Sequence, residues 1–363
     1  MALRKLQSKR ILLFVALGLT AFILYLYYYV GTGHFWDEIR RANLYYYSSA
    51  FVAFFFAALF SAVTWHSLLD GLNVKSNFRR VLFLTWAGYF FDATVPEPGW
   101  SGDISKAYML SKKDNEDAGK TVAAVVSQKI IGMAVTIILL VIGFGLLSFN
   151  VKLPQEVVVF FGVIMALSVG SFLVVFYMSK SSKATRWVLN VVLVPLLSFF
   201  LRTRFDEAQF RSDSEHFLNI FHNGIGTLSS EKRALLRPIC FYVLSVAFDV
   251  SIVFFVFASL GYPIPVDRVL IVYALTGTLA SIGVSFVGVT EIITSTAYQV
   301  LSIPLAVSVS VTLLTRIVTL WFKLIVGYIA FQWAGVGIML GKQPKEGSKE
   351  QNDGTSAVAS EES

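Results

Sequence analysis

The stretch ATVPEPGWSGDISKAY (93–108) decides the fold. It interrupts a very apolar chain. Pro96 and Pro98 remove backbone donors and oppose helix continuation, while Gly99 and Gly102 permit a turn. Asp92, Glu97 and Asp103 bring carboxylates to the break. Inside a bilayer, broken backbone is tolerated only where protein or a water-filled cavity surrounds it. The stretch therefore predicts a helix that dips into a membrane, turns and returns.

The surrounding composition makes the membrane reading secure. Hydrophobic residues are 56% of the 363-residue chain and aromatic residues 15%. ILLFVALGLTAFILYLYYYV (11–30) is 20 residues without a charge, enough to cross about 30 Å of hydrocarbon as a helix. Similar runs recur at 46–69, 121–148, 156–178, 238–260 and 306–331. The first follows RKLQSKR but is too long for a signal-peptide core and precedes no small-x-small cleavage site, so it is read as a retained span. Cys240, the only cysteine, allows no intrachain disulfide, and His34, His66, His216 and His222 show no metal-ligand spacing. His66 is read as an interface residue. Tyrosine and tryptophan cluster at span ends, as aromatic belts do.

A net charge of +7 here sets orientation and does not point to nucleic acid. Arg4, Lys5, Lys9, Arg10, Lys75, Arg79, Arg80, Lys180, Lys183 and Arg186 fall on one side if four of the runs each cross once. Arg40, Arg41, Lys152 and Arg268 fall opposite. The amino terminus is expected to be cytoplasmic. Residues 81–110 are flanked by basic groups at both ends, so a single crossing would misplace one group; re-entry solves this. The same argument makes 268–303 a second re-entrant hairpin, interrupted at Gly277, Gly283 and Gly288, and leaves the carboxyl terminus cytoplasmic.

The two halves then correspond. GDISKAY is followed 26 residues after Asp103 by Lys129, and EIITSTAY is followed 25 residues after Glu291 by Arg316. Each half has a glycine-interrupted hairpin, an acid on its return helix, an Ala-Tyr pair and a cation in the next span. This is the pattern of an inverted repeat, whose interrupted segments point to a transporter's binding site. The organisation is a membrane half over 1–178, an interfacial or cytoplasmic connector over 179–237, a second membrane half over 238–340 and a disordered tail over 341–363. In the connector, 186–202 is too short to span and lies at the interface or within the bundle. Phe217, Leu218, Phe221, Ile225 and Leu228 recur at helical spacing and suit an amphipathic helix on the cytoplasmic surface.

Charges within the membrane are the site candidates. They are Lys129, Arg316, Glu291, Asp103 and Lys106, with Asp92, Glu97, Asp249 and Lys323. Arg316 and Lys323, seven residues apart, share a helix face. Cations facing a cavity between the hairpins would attract a lipid head-group phosphate, which arginine binds bidentately. A structural reading stands beside this: Asp103 and Glu291 offset helix dipoles, Ser101 or Thr290 caps a helix, and Lys129 and Arg316 are counter-ions that hold each hairpin to its span. The two roles can coexist. Lys323 is expected to snorkel to the cytoplasmic surface. Asp249 is a proton or ion site whose partner the sequence does not name.

PGWSGDISKAYML (98–110), the cation at 129 and the later GVTE…R arrangement resemble the transmembrane region of lysylphosphatidylglycerol synthases, a flippase-like family, over roughly residues 10–340. The resemblance implies an α-helical bundle with two re-entrant hairpins and a lipid-translocating role. Some archaeal relatives are linked to polyprenyl-phosphate sugars. The family usually has Arg where this chain has Lys106 and Lys129, and a Pro-Gly-Gly run where it has IGVSFVG. The chain ends about 30 residues after the last span, so the synthase activity is not expected to carry over.

The sequence thus predicts an all-α polytopic membrane protein with about six full spans and two re-entrant helical hairpins, or about eight spans by hydropathy alone. It is expected in the cell membrane as a multi-pass protein, a transporter moving an anionic lipid between leaflets. Membrane lipids are its partners, and no cofactor, metal or catalytic residue is expected. No G-x-x-x-x-G-K-[ST] motif is present, so energy would come from an ion or proton gradient or from trapping of the lipid. The alternatives are an integral membrane enzyme acting on a lipid phosphate, with Asp92, Glu97, Asp103 and Glu291 holding a divalent metal, or a non-transporting membrane subunit.

Overall fold

The computed structural model describes residues 40, 42–94, 100–150, 155–193, 207–230, 232–281 and 288–334. The expected first span at 11–30, the tail, Pro96, Glu97, Pro98, Gly99 and Gly283 lie outside them. The described residues form helices and contain no strand. These are α1 (Leu44–Gly71), α2 (Phe78–Thr94), α3 (Ser101–Asp114), α4 (Ala118–Asn150), α5 (Gln155–Lys180), α6 (Ser182–Val188), α7 (Glu207–Ser230), α8 (Lys232–Ser259), α9 (Val266–Ser281), α10 (Val289–Val300), α11 (Leu305–Arg316) and α12 (Lys323–Ala334). Five stretches among them are long and apolar enough to cross a membrane: α1, α4, α5, α8, and Leu305–Trp333, which joins α11 to α12. The protein is an all-α polytopic membrane protein.

At the centre α1 lies along α8. Asn43 starts α1 by accepting the Tyr45 amide at 2.9 Å, the usual service of an asparagine N-cap. Small residues let the two backbones come close: Ala50 and Ala53 share a core with Ile252 and Val256, and Ser245 donates to the Ala57 carbonyl at 2.8 Å. Outward faces are apolar. Val158, Val159, Val163, Leu173 and Val174 of α5 are exposed, as a lipid-facing helix requires.

The first hairpin is α2 and α3. Its two ends meet: Arg80 forms an ion pair with Asp114, and the Lys75 amide donates to Glu116 Oε1 at 3.2 Å. The chain leaves the hairpin beside the place where it entered, as the flanking charges predict. Gly88 and Gly102 let the arms touch backbone to backbone; a Cβ on Gly102 would stand 2.4 Å from the Gly88 carbonyl oxygen. In the second hairpin, α9 and α10, the entering Ile264 and the departing Leu301 and Ile303 belong to one core cluster.

The halves interlock reciprocally. The first arm of each hairpin lies on the span that follows the other hairpin: α2 on α12, and α9 on α4. Both contacts use glycine. A Cβ on Gly327 would stand 2.6 Å from the Phe90 amide nitrogen, and one on Gly143 would stand 2.9 Å from the Ile271 side chain. This exchange of partners is what an inverted repeat produces.

Two sequence expectations are refined. The apolar face of α7 is covered by protein: Phe221, Ile225 and Leu228 are buried in a core with Leu68, Leu69 and Leu72. The last span is not one α-helix, because a π-helical stretch, Ile317–Phe322, follows Arg316 directly. Such stretches accompany functional sites and leave no hydropathy signal.

Gly102→Ala is expected to cost about 1–3 kcal/mol, because the new methyl has only backbone and the Asp92 carboxylate to push against. It should lower the melting temperature in detergent. Gly162→Ala, with nothing within 4 Å of the added Cβ, should be neutral or slightly stabilising.

Candidate functional site

Each hairpin carries its acid in the first turn of the return helix and pairs it with a cation on the next span. In the first, Lys106 Nζ is 2.7 Å from Asp103 Oδ1 and Lys129 Nζ is 3.5 Å from Oδ2. Lys106 is buried over the Trp65 ring, and Lys129 lies 5.1 Å above the Trp100 ring. Lys106 also donates to Gln128 Oε1 at 3.1 Å, and Gln128 Nε2 donates to the Ser61 carbonyl at 3.1 Å. A polar chain therefore runs from α3 through α4 to α1.

In the second hairpin Arg316 Nε meets Glu291 Oε1 at 2.7 Å. The other oxygen, Oε2, accepts the Gly288 amide at 2.6 Å. Gly288 sits at φ +92°, in backbone space that favours glycine, and serves as N-cap of α10. Glu291 thus ties its own helix start to the last span. Asp103 with Lys129, and Glu291 with Arg316, are the pairs the sequence spacing anticipated.

The structure corrects three details. Ser101 is not an N-cap side chain; its hydroxyl donates to the Phe91 carbonyl at 3.2 Å, and the cap is supplied across the hairpin by Asp92 Oδ1, which accepts the Gly102 amide at 2.8 Å. Thr290 lies within α10, after its cap. Lys323 does not snorkel away: it turns inward over the Tyr89 ring at 4.4 Å, with Nζ 3.6 Å from Asp92 Oδ2. That contact joins the last span to the first hairpin, so it follows from the exchange of arms, which no local spacing encodes. His66 makes a local contact, 3.1 Å from Asp70.

Two adjoining cavities with hydroxyl and charged side chains in their walls lie within the bundle, one against the second hairpin and the other reaching Tyr89 of the first. One, of about 200 Å³, is lined by Arg316, Thr290, Thr294, Thr312, Thr315 and Tyr298, among others. The other, of about 270 Å³, is lined by Lys323, Ser61, Tyr89, Tyr242 and Ser245, with apolar residues of α1. Asp249, Tyr273 and Thr319 line both. Asp249 gains the partner the sequence left unnamed: Tyr273 donates to Oδ2 at 2.9 Å. Among the described residues the buried Thr315 hydroxyl has no hydrogen-bond partner. Lys129, Asp103 and Lys106 line neither cavity and reach the second through Gln128 and Ser61. Among the described residues, no three of histidine, cysteine, aspartate and glutamate stand together as a metal site would require.

Two hairpins, their pinned acids and the two cavities fall within a family match over residues 11–327 to the lysylphosphatidylglycerol synthase TM region. The chain belongs to this family. It is similar to a UPF0104 membrane protein of Pyrococcus horikoshii, 22% identical over 325 residues, which cover 87% of this chain and 95% of the relative. It is also similar to a UPF0104 membrane protein of Methanocaldococcus jannaschii, 23% identical over 333 residues, or 90% of this chain and 95% of the relative. No solved structure matches. The family assignment covers the membrane bundle that carries both hairpins and both cavities.

Within that bundle the two ion pairs differ in reserve. Arg316→Ala leaves Glu291 buried without a cation and is expected to cost about 3–5 kcal/mol. Lys129→Ala leaves Asp103 with Lys106 and should cost clearly less. Melting of the two variants in the same detergent checks the order, and equal losses would refute the account.

Proposed function

We propose that this protein moves an anionic lipid between membrane leaflets, with the head group passing through the two cavities and the tails staying in lipid. The carrying observation is the adjoining pair of hydroxyl-lined cavities walled by Arg316 and Lys323 inside an apolar bundle. Their volumes, about 200 and 270 Å³, fall below the ~300–1,000 Å³ of pockets that enclose drug-sized ligands. They suit a head group and not a whole lipid. Glu291 engages Arg316 at Nε, so the terminal guanidinium nitrogens are the ones to meet phosphate. The Thr315 hydroxyl offers a further donor to the head group. In this reading the protein sits in the cell membrane with its amino and carboxyl termini in the cytoplasm, and it performs no chemistry on the lipid.

The test is head-group translocation in liposomes, using labelled anionic phospholipids and polyprenyl-phosphate lipids. Arg316→Ala and Glu291→Gln should abolish it. Thr315→Val removes an unpartnered hydroxyl without breaking a hydrogen bond, so it should slow translocation while leaving the melting temperature unchanged or raised. Folded protein that translocates none of these lipids would overturn the proposal; conversion of lipid to product would establish the enzyme in its place.

A further inference from the structure

We propose that Asp249 is a proton-binding site shared by the two cavities, and that its charge state decides which acid Lys323 serves. The consequence for transport rests on the flippase reading; the site itself does not.

The argument begins with partners. Asp92, Asp103 and Glu291 each have a cation within 2.7–3.6 Å. Among the described residues Asp249 has none, and its one hydrogen bond there is from the Tyr273 hydroxyl. An ionised carboxylate without a cation is costly in a membrane interior, whereas the protonated form needs no counter-charge. Asp249 also lines both cavities, each of which has room for several waters at about 30 Å³ apiece. A proton can thus reach one carboxylate from either side: hydronium in one cavity gives its proton to Asp249 and leaves water, and water in the other cavity takes it back.

The groups facing this position are few. Tyr89 comes from α2, Tyr242 from α8, Tyr273 from α9, Tyr298 from α10, Arg316 from α11 and Lys323 from α12. Helix α1 contributes only Ser61 and apolar side chains, and α4 and α7 contribute no lining residue. Arg316 is committed to Glu291, whose other oxygen is itself held by Gly288. Lys323 is held loosely, since 3.6 Å is too long for a hydrogen bond. Deprotonated Asp249 therefore draws Lys323 toward itself across the shared cavity. Protonated Asp249 returns it to Asp92, which holds the start of α3 through the Gly102 amide. The charge of Asp249 is in this way linked to the first hairpin. Calcium or magnesium is a poorer occupant, because each takes six or more oxygens and the walls already carry two cations.

Infrared difference spectroscopy of the full chain in liposomes, stepped in pH, tests the site. Acidification should raise a carboxylic-acid C=O band that is lost in Asp249→Asn and shifted but retained in Asp249→Glu. A band unchanged in both variants, or no band in the wild type, overturns the site; should Asp249→Asn not fold, the shift in Asp249→Glu carries the assignment. Translocation under an imposed pH gradient tests the linkage: the wild type and Asp249→Glu should follow the gradient, and Lys323→Met should lose that response while keeping the band. A wild type that translocates lipid indifferently to the gradient overturns the linkage. A wild type that translocates no lipid overturns the flippase reading, and the band then decides the proton site alone.

Discussion

A carboxylate placed in hydrocarbon must find a cation, a proton or water, and the architecture of this bundle follows from how four acids, Asp92, Asp103, Asp249 and Glu291, meet that demand. Asp103 and Glu291 sit at the starts of return helices and are held by Lys129 and Arg316 from the next spans. Asp92 caps α3 and is approached by Lys323. These contacts keep broken helices in register inside the membrane, where an unpaired end would be costly. The ion pairs act as hinge pins between each hairpin and its span. The fourth acid, Asp249, takes a tyrosine hydroxyl instead and stands where the two cavities join.

Packing depends on the same economy. Without a hydrophobic drive between helices in lipid, close backbone contact and interhelical hydrogen bonds hold the spans together. Gly88 with Gly102, Gly327 with Phe90 and Gly143 with Ile271 are sites where a side chain would push the backbones apart. They fall on the hairpins and on the spans that receive them. The exchange of arms makes the second cavity the joint product of both halves, with Lys323 from the last span and Tyr89 and Ser61 from the first half, whereas the cavity walled by Arg316 is built by the second half alone.

Much of this was legible before any coordinate. The glycine and proline break near Asp103, and the matching distances from Asp103 to Lys129 and from Glu291 to Arg316, are local features of one chain segment each. Local spacing determines which residues a hairpin offers to the following span, so these pairs could be read. The Asp92–Lys323 contact joins opposite halves of the chain, and nothing in either segment names the other; the Asp249–Tyr273 bond spans only 24 residues, but an aspartate and a tyrosine carry no complementary charge to mark them as a pair. The π-helical stretch after Arg316 was also hidden, because hydropathy averages over a turn and cannot register one extra residue in it.

The sequence by itself determined the membrane class and the break in the first hairpin, since these rest on composition and local backbone chemistry along one segment, and it pointed to the family through the motif PGWSGDISKAYML that resembles it. Only the tertiary structure decided that Lys323 turns inward, that α7 buries its apolar face against the bundle, and that Asp249 lies between two cavities. The reason is physical: a side chain's environment in a helical bundle is set by the neighbouring helices, and for Lys323 those neighbours come from the opposite half of the chain.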